Sequence, residues 1–220
     1  MKKKLWIMIP GVLACVGMCL IETVLRPEYF VKSILKIALF FGTILLYCAV
    51  CRVKISEALN LKKPVKAKSL LIFIGIAYVT VLAAFFICKN FINLSNIQEN
   101  LLNKEGLTKQ NCIFVFAYII VCNSFLEESF FRGYLFHGLS ENKPLAYLFS
   151  SFLFAVYHIG IVDGWFNFGI LLVCILGLMI AGMFLSYVSE RYRSLLANYI
   201  VHGTANLAIN TIGIYMIFFM

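Results

Sequence analysis

Charged side chains are scarce in this sequence, and acidic ones especially so, since Asp and Glu together number only 10 among 220 residues. The charged residue types make up 13% of the chain, against roughly 25% in an ordinary soluble domain. Apolar residues make up 62%, and the mean hydropathy is +0.93. A chain of this size keeps a large wet surface when it folds in water, so this composition excludes a soluble enzyme. It also excludes a disordered chain.

Long uncharged runs take the place of the missing polar surface. They cover residues 5–21, 37–51, 69–88, 110–126, 144–162, 164–189 and 194–220. A bilayer core holds roughly 20 apolar residues per helix, and every backbone polar group inside it must bond internally. The runs lack the two-residue alternation of a membrane barrel. We therefore predict an all-α, polytopic membrane helix bundle that forms a single transmembrane domain over residues 1–220.

The last run sets the number of spans. Residues 194–220 are long enough for one long helix or for two short ones that break near residues 210–213. We favour two short helices, which gives about eight transmembrane helices around an intramembrane polar cavity, whereas one helix gives seven.

Lysine and arginine are distributed unevenly between the loops. With residues 1–4 in the cytoplasm, most of the 19 Lys and Arg residues fall in cytoplasmic loops, as the positive-inside rule requires. We predict a multi-pass protein of the cell membrane with both ends in the cytoplasm. The basic stretch 52–68, which includes Lys62, Lys63 and Lys66, either lies on anionic lipid headgroups or only sets the topology. Its basic residues are not interleaved with side chains that could contact nucleic-acid bases, so we expect no nucleic-acid partner.

Small residues inside the runs are expected to serve packing. The eight cysteines lie mostly within the runs, where thiols behave as small apolar groups, and we assign them no disulfide or metal role. Gly177 and Gly182 share one run and would let two helices approach closely.

Ionisable side chains inside a membrane are costly and indicate function. Only Glu127, Glu128 and Arg132 fall within a predicted helix, since we extend the fourth helix to about Leu139. Glu128 and Arg132 are spaced as a helical ion pair. That pair would leave Glu127, 100° round the helix, available for chemistry.

Depth in the bilayer brings further polar residues to the same level. Helices four and five should form an antiparallel hairpin that turns near residues 140–144, which places Glu127 and His158 at one height, about 22 Å from the turn. His202 lies somewhat nearer the cytoplasm, and Asn206 shares its helix face. Carboxylates, imidazoles and an amide at matched depth are the groups that activate water and hold an oxyanion.

Three short motifs carry a family resemblance. They are Glu-Glu-x-x-x-Arg at 127–132, Phe-x-x-x-His at 154–158 and His-x-x-x-Asn at 202–206, the last with a matching lead-in from residue 193. In this order they resemble the CAAX prenyl protease type II and bacteriocin-processing family, also called CPBP or ABI proteins. The resemblance covers about 111–207, which would be the catalytic core.

The resemblance implies an eight-helix intramembrane bundle around a cavity open toward the cytosol. The implied activity is hydrolysis of peptide bonds near a membrane-borne C-terminus or in small peptides. Carried over to this chain, Glu127 would be the general base that deprotonates a water, and His158 would help to hold that water. His202 and Asn206 would stabilise the tetrahedral oxyanion.

By the same resemblance, Glu128 and Arg132 would support the site. Family members are often labelled metalloproteases, and a glutamate with two histidines is a conceivable Zn²⁺ ligand set. The chain has no His-Glu-x-x-His helix, however, and Asn206 suits an oxyanion donor better than a fourth ligand. We favour a metal-free glutamate mechanism without a cofactor and keep zinc as the alternative.

Substrate and biological role stay open at this stage. The implied substrate is a peptide or a membrane-associated protein, prenylated or not. Richness in Lys, Ile, Asn and Phe is typical of a low-GC bacterium, for which the resemblance implies processing of bacteriocins or pheromones, or immunity to them. The alternatives are a non-catalytic binding, scaffold or immunity protein of the same fold, and a proton-coupled transporter that uses Glu127 and His158 as a relay.

Overall fold

The computed structural model of the chain describes residues 2–59 and 67–220. It is 84% helix, and the part of the chain it describes contains no strand. The helices are α1 (Lys2–Leu20), α2 (Tyr29–Cys51), α3 (Ile55–Ala58), α4 (Ala67–Cys88), α5 (Leu94–Asn103), α6 (Cys112–His137), α7 (Lys143–Ile161), α8 (Phe168–Tyr192) and α9 (Leu195–Phe219). All but α3 and α5 are long and apolar enough to cross a bilayer, which makes seven spans among the described residues. The predicted all-α, multi-pass membrane bundle is confirmed.

The last run forms one helix rather than the two that we favoured, so the count is seven, close to the predicted eight. Residues 210–213 lie inside α9, where they pack instead of breaking the helix. Asn210 donates its side-chain amide to the Phe116 carbonyl oxygen (3.1 Å). A Cβ added at Gly213 would lie 3.0 Å from the Phe116 ring. Seven spans would leave the N- and C-termini on opposite sides of a membrane, whereas the eight that we favoured would place both on one side.

The helix α6 lies at the centre of the bundle and contacts α1, α2, α7, α8 and α9. Its second half is buried all round and includes Phe130, Phe131 and Tyr134. Phe40 of α2 stacks on Phe130 with ring centroids 4.1 Å apart. This interior position surrounds the Glu127 segment with protein.

The hairpin of α6 and α7 turns where the sequence predicts. The side chain of Asn142 accepts a hydrogen bond from the Leu145 backbone N–H (3.3 Å), and Pro144 occupies the first turn of α7. An Asn cap followed by a proline is a strong start signal for a helix, because both serve backbone groups that lack helical partners.

The second span begins at Tyr29 rather than Ile37, so two lysines lie inside it. Lys32 and Lys36 are both buried. Lys32 Nζ lies 2.8 Å from Glu22 Oε2 and 2.9 Å from Glu105 Oε2. The prediction that only the α6 segment carries charge within a helix is therefore wrong. Buried charges persist when they are paired, and the partners of Lys32 come from the end of the first span and the segment after α5.

The basic stretch before α4 is described only at its two ends. Lys62, Lys63 and Lys66, on which the headgroup contact rests, lie outside the described residues, so that contact stays a prediction. The eight cysteines are all free thiols.

The helices α7 and α8 approach closely at Gly182. A Cβ at this position would lie 3.0 Å from Ser151 Cα, whereas a Cβ at Gly177 meets nothing within 4 Å. The sequence expectation of a close approach therefore holds at Gly182 and fails at Gly177, which faces away from its neighbours.

We predict that Gly182→Ala lowers the free energy of unfolding by about 1–3 kcal/mol, because the methyl group must push the α7 backbone away. Thermal unfolding in detergent measures the change. Gly177→Ala on the same helix is the matched control and should unfold like the wild-type protein. Equal stability of the two variants would contradict this account of the helix contact.

Candidate active site

Irregular helical turns bracket the two glutamates of α6. Ile119–Asn123 and Ser129–His137 are π-helical, and the α-helical turn Ser124–Glu128 lies between them. Wide π-helical turns are rare and are frequently found at functional sites. Both Glu127 and Glu128 are buried in the bundle interior. The distortion of α6 is therefore centred on the residues that the sequence singles out.

The two carboxylate oxygens of Glu127 have different surroundings. Its Oε1 accepts hydrogen bonds from Lys36 Nζ (2.6 Å), Asn123 Nδ2 (3.0 Å) and the Tyr157 hydroxyl (3.1 Å). Its Oε2 faces His202 Nε2 at 3.6 Å. One oxygen is thus held by three donors, while the other faces an imidazole at a distance longer than a hydrogen bond.

Glu128 lies on the other side of the same imidazole. Its Oε1 contacts His202 Nδ1 (2.7 Å) and accepts from Arg132 Nη1 (3.0 Å). Arg132 also donates to the Gly182 carbonyl oxygen (3.1 Å) and lies over the Phe154 ring (4.4 Å to the centroid). The predicted ion pair of Glu128 and Arg132 is present, and both side chains are fully buried. Since an ionised carboxylate only accepts, His202 Nδ1 is the donor in this contact.

His158 lies in the same layer, beside the aromatic side chains of α7. Its Nδ1 lies 2.6 Å from the Phe154 carbonyl oxygen, and a carbonyl only accepts, so Nδ1 carries the proton and Nε2 of the neutral ring is an acceptor. The ring is 4.7 Å from that of Tyr157, which reaches Glu127. The Phe154 ring lies between the two histidines, with centroids 4.6 Å from His158 and 5.8 Å from His202.

Asn206 joins α9 to α6 within the cluster. Its Nδ2 donates to the Ser124 hydroxyl (2.8 Å), and that hydroxyl donates to the Ile119 carbonyl oxygen (3.0 Å) in the first π-helical segment. One hydrogen of the Asn206 amide remains after this bond. The structure thus brings all six predicted site residues into one cluster, in which His158 is half-buried and the other five are buried, although their roles remain predictions.

Three partners of Glu127 were missed from the sequence, namely Lys36, Asn123 and Tyr157. Lys36 directly precedes the uncharged run 37–51 and so marks a span edge in the sequence, although its four-residue spacing from Lys32 places both on one helix face. Asn123 precedes Glu127 by one helical turn, the spacing of a side-chain pair. Tyr157 carried no signal beyond its place next to a predicted site residue.

The donors of this cluster do not fit a metal ion. Among residues 2–59 and 67–220, no three His, Cys, Asp or Glu side chains are grouped so as to hold one. The ammonium of Lys36 already lies against Glu127, and His202 directs its two ring nitrogens at two different carboxylates. A zinc site needs three or four ligands that converge on one point.

Two cavities lie outside this cluster. One of about 280 Å³ is at the end of the bundle where Lys3, His137 and Glu141 meet. The other, of about 180 Å³, lies between α6 and α9 and is lined by Ile120 and Gly203. Neither is lined by Glu127 or His202, so the predicted opening of the site to water remains a prediction.

The fold and the cluster define a polytopic membrane protein with a buried glutamate–histidine site. Residues 109–208 match the model of the Rce1-like family, the type II CAAX prenyl endopeptidases, and this confirms the family resemblance seen in the motifs. No curated protein and no solved structure matches the chain. The family is one of proteases, which supports a peptidase activity. The matched segment includes every site residue described above except Lys36, which lies in α2.

The buried ion pair of Glu128 and Arg132 makes a prediction about stability. We expect Arg132→Met to lower the free energy of unfolding by roughly 3–5 kcal/mol, because it leaves a buried carboxylate without its guanidinium. The matched control is Lys143→Met, since Lys143 pairs with Glu190 on the exposed surface and such pairs contribute at most about 1 kcal/mol. Thermal unfolding in detergent compares the two, and equal losses would contradict the structural role assigned to Arg132.

Proposed function

We propose that the protein is an intramembrane endopeptidase that uses Glu127 as a general base on water. The observation that carries the proposal is the His202 imidazole, held between the Glu127 and Glu128 carboxylates inside the bundle. This arrangement supplies a base, an electrophilic group and a fixed orientation for both. The family match to proteases supports the same class of reaction.

In the first step, a water molecule is held between Glu127 and His158. Glu127 Oε2 takes one proton from the water as its oxygen attacks the carbonyl carbon of the peptide bond. His158 keeps the water oriented through its Nε2, since its Nδ1 is committed to a backbone carbonyl. General-base catalysis of this kind contributes about 10²–10⁴-fold to a rate.

In the second step, the tetrahedral intermediate places its negative charge near α9. Asn206 offers the amide hydrogen that Ser124 does not use. His202 donates from Nε2 when its ring is an imidazolium, because Nδ1 already donates to Glu128 and a neutral ring carries only one proton. Glu127 then gives its proton to the amide nitrogen, the C–N bond breaks, and an amine and a carboxylic acid leave.

This mechanism needs no metal ion or cofactor. Lys36 supplies the positive charge next to Glu127, and His202 with Asn206 supplies the polarising groups that a metalloprotease takes from zinc. Metal independence is thus part of the proposal and is supported by the chemistry of the donors.

We place the substrate among small peptides and membrane-associated proteins, with or without a prenyl group. The site is enclosed by spanning helices, so a substrate that is itself apolar or anchored in the bilayer reaches it most readily. With the N-terminus in the cytoplasm of a bacterial cell, processing of bacteriocins or pheromones, or immunity to them, is the role that this proposal favours.

The test is cleavage of a peptide library by the purified protein in liposomes. We expect Glu127→Gln to reduce kcat/KM by about 100-fold or more. His202→Ala and Asn206→Ala should each cost about 10²–10³-fold through loss of an oxyanion donor. Mass spectrometry identifies the products, and a chelator should leave the wild-type rate unchanged.

The controls separate catalysis from folding and from metal dependence. Each variant is first compared with the wild type for membrane accumulation and thermal unfolding. Wild-type rates of cleavage by folded Glu127→Gln protein would overturn the catalytic assignment and favour a binding or immunity role. Loss of activity on chelation, with recovery on adding Zn²⁺, would overturn the metal-free mechanism.

A further inference from the structure

A buried ammonium group from outside the family-matched segment lies against the proposed base. Lys36 belongs to α2, and its Nζ is 2.6 Å from Glu127 Oε1. We propose that Lys36 is a positioning residue for Glu127, and this inference rests on the proposed role of Glu127 as general base. It holds Oε1 of Glu127 and balances the carboxylate charge, which leaves Oε2 to take the proton from water.

The geometry around Oε1 is a closed ring of hydrogen bonds. Lys36 Nζ donates to Glu127 Oε1 and also to Asn123 Oδ1. Asn123 in turn donates its Nδ2 to the same Glu127 oxygen (3.0 Å). Each of these three side chains therefore contacts the other two, and the Tyr157 hydroxyl adds a third donor to Oε1 (3.1 Å). Rotation of the carboxylate would break all three of these bonds.

The packing around Lys36 keeps its ammonium in place. The side chain is 8% exposed, and Nζ lies 4.8 Å from the centroid of the Tyr157 ring and 5.8 Å from that of Phe40. Aromatic faces at these distances attract a cation, most strongly where water is excluded. Lys36 thus has two oxygen acceptors and two aromatic neighbours, which is a specific environment for one ammonium group.

The balance of charge in the cluster depends on this lysine. The side chains that face Glu127 are Lys36 from α2, Tyr157 and His158 from α7, His202 from α9, and Asn123 and Glu128 from its own helix. Arg132 is bound to Glu128 and acts on Glu127 only through its charge, without contact. Without Lys36, no permanently charged side chain among the described residues contacts Glu127, and an unpaired carboxylate in an apolar interior takes up a proton instead.

The test is Lys36→Met, which keeps the length of the side chain and removes its charge. We expect kcat to fall about 100-fold through misplacement of the base, with KM unchanged because Lys36 does not touch the substrate. The acidic limb of the pH–rate profile should move toward neutral pH, since an opposite charge favours the ionised form of a carboxylate. Lys36→Arg restores the charge and should recover part of kcat and the wild-type profile.

Lys32→Met is the matched control. Lys32 lies on the same face of α2 and is equally buried, but it pairs with Glu22 and Glu105. This variant should lower the thermal stability and leave the pH–rate profile as in the wild type. A Lys36→Met enzyme with the wild-type kcat and profile overturns the proposal, and so does a Lys32→Met enzyme with the same displaced profile.

A measurement without substrate separates this inference from the proposed peptidase activity. Infrared difference spectroscopy detects the C=O stretch of a protonated carboxyl group. At neutral pH we expect this band in Lys36→Met protein, and expect it to be missing from the wild type and from the Lys36→Met, Glu127→Gln double variant. Lack of the band in Lys36→Met contradicts the charge-balancing role of Lys36 even if the wild-type protein cleaves no peptide.

Discussion

Every carboxylate inside this bundle lies against a cationic or imidazole group, because a lone charge costs too much where water is excluded. Glu127 contacts Lys36, and Glu128 contacts Arg132 and His202. Glu22, nearer the end of the bundle, shares Lys32 with a loop carboxylate. These pairings tie the end of the first span, α2, α6 and α9 to one another. The same requirement that lets the charges exist in the bilayer therefore also fixes the spacing of the spans around the site.

The π-helical turns of α6 show how the backbone serves this arrangement. Glu127 and Glu128 lie in an α-helical turn, where neighbouring residues point about 100° apart, and they face the two different nitrogens of the His202 ring. The π-helical segments before and after Ser124–Glu128 interrupt the regular α-helical geometry of α6. The hydroxyl of Ser124 satisfies a carbonyl of the first turn, as expected where the regular ladder of hydrogen bonds is interrupted.

Much of the fold and part of the site follow from apolar runs and from rare polar residues. The spans could be predicted because few structures other than a membrane helix accommodate an uncharged stretch of about 20 residues. Glu127 and His158 could be predicted because ionisable groups are unusual in such stretches. Lys36 could not be found this way, since the rule that charges mark span edges assigns it to a loop. Asn210 predicted a helix break but lies inside α9. Small and polar residues occur at contacts between helices as well as at helix ends, so their presence does not distinguish the two. The π-helical turns have no local sequence signal at all.

The position of Lys36 has a consequence for how the protein is made. A chain leaves the ribosome from its N-terminus at about 5–20 residues per second, so α2 enters the membrane before α6 has been synthesised. Insertion of a helix that carries two carboxylates and an arginine is penalised by about 2.5–3.5 kcal/mol for each charge at its centre. The ammonium on α2 is then already available as a partner for the arriving carboxylate. In the order of the chain the counter-ion thus precedes the helix whose buried carboxylate it pairs with.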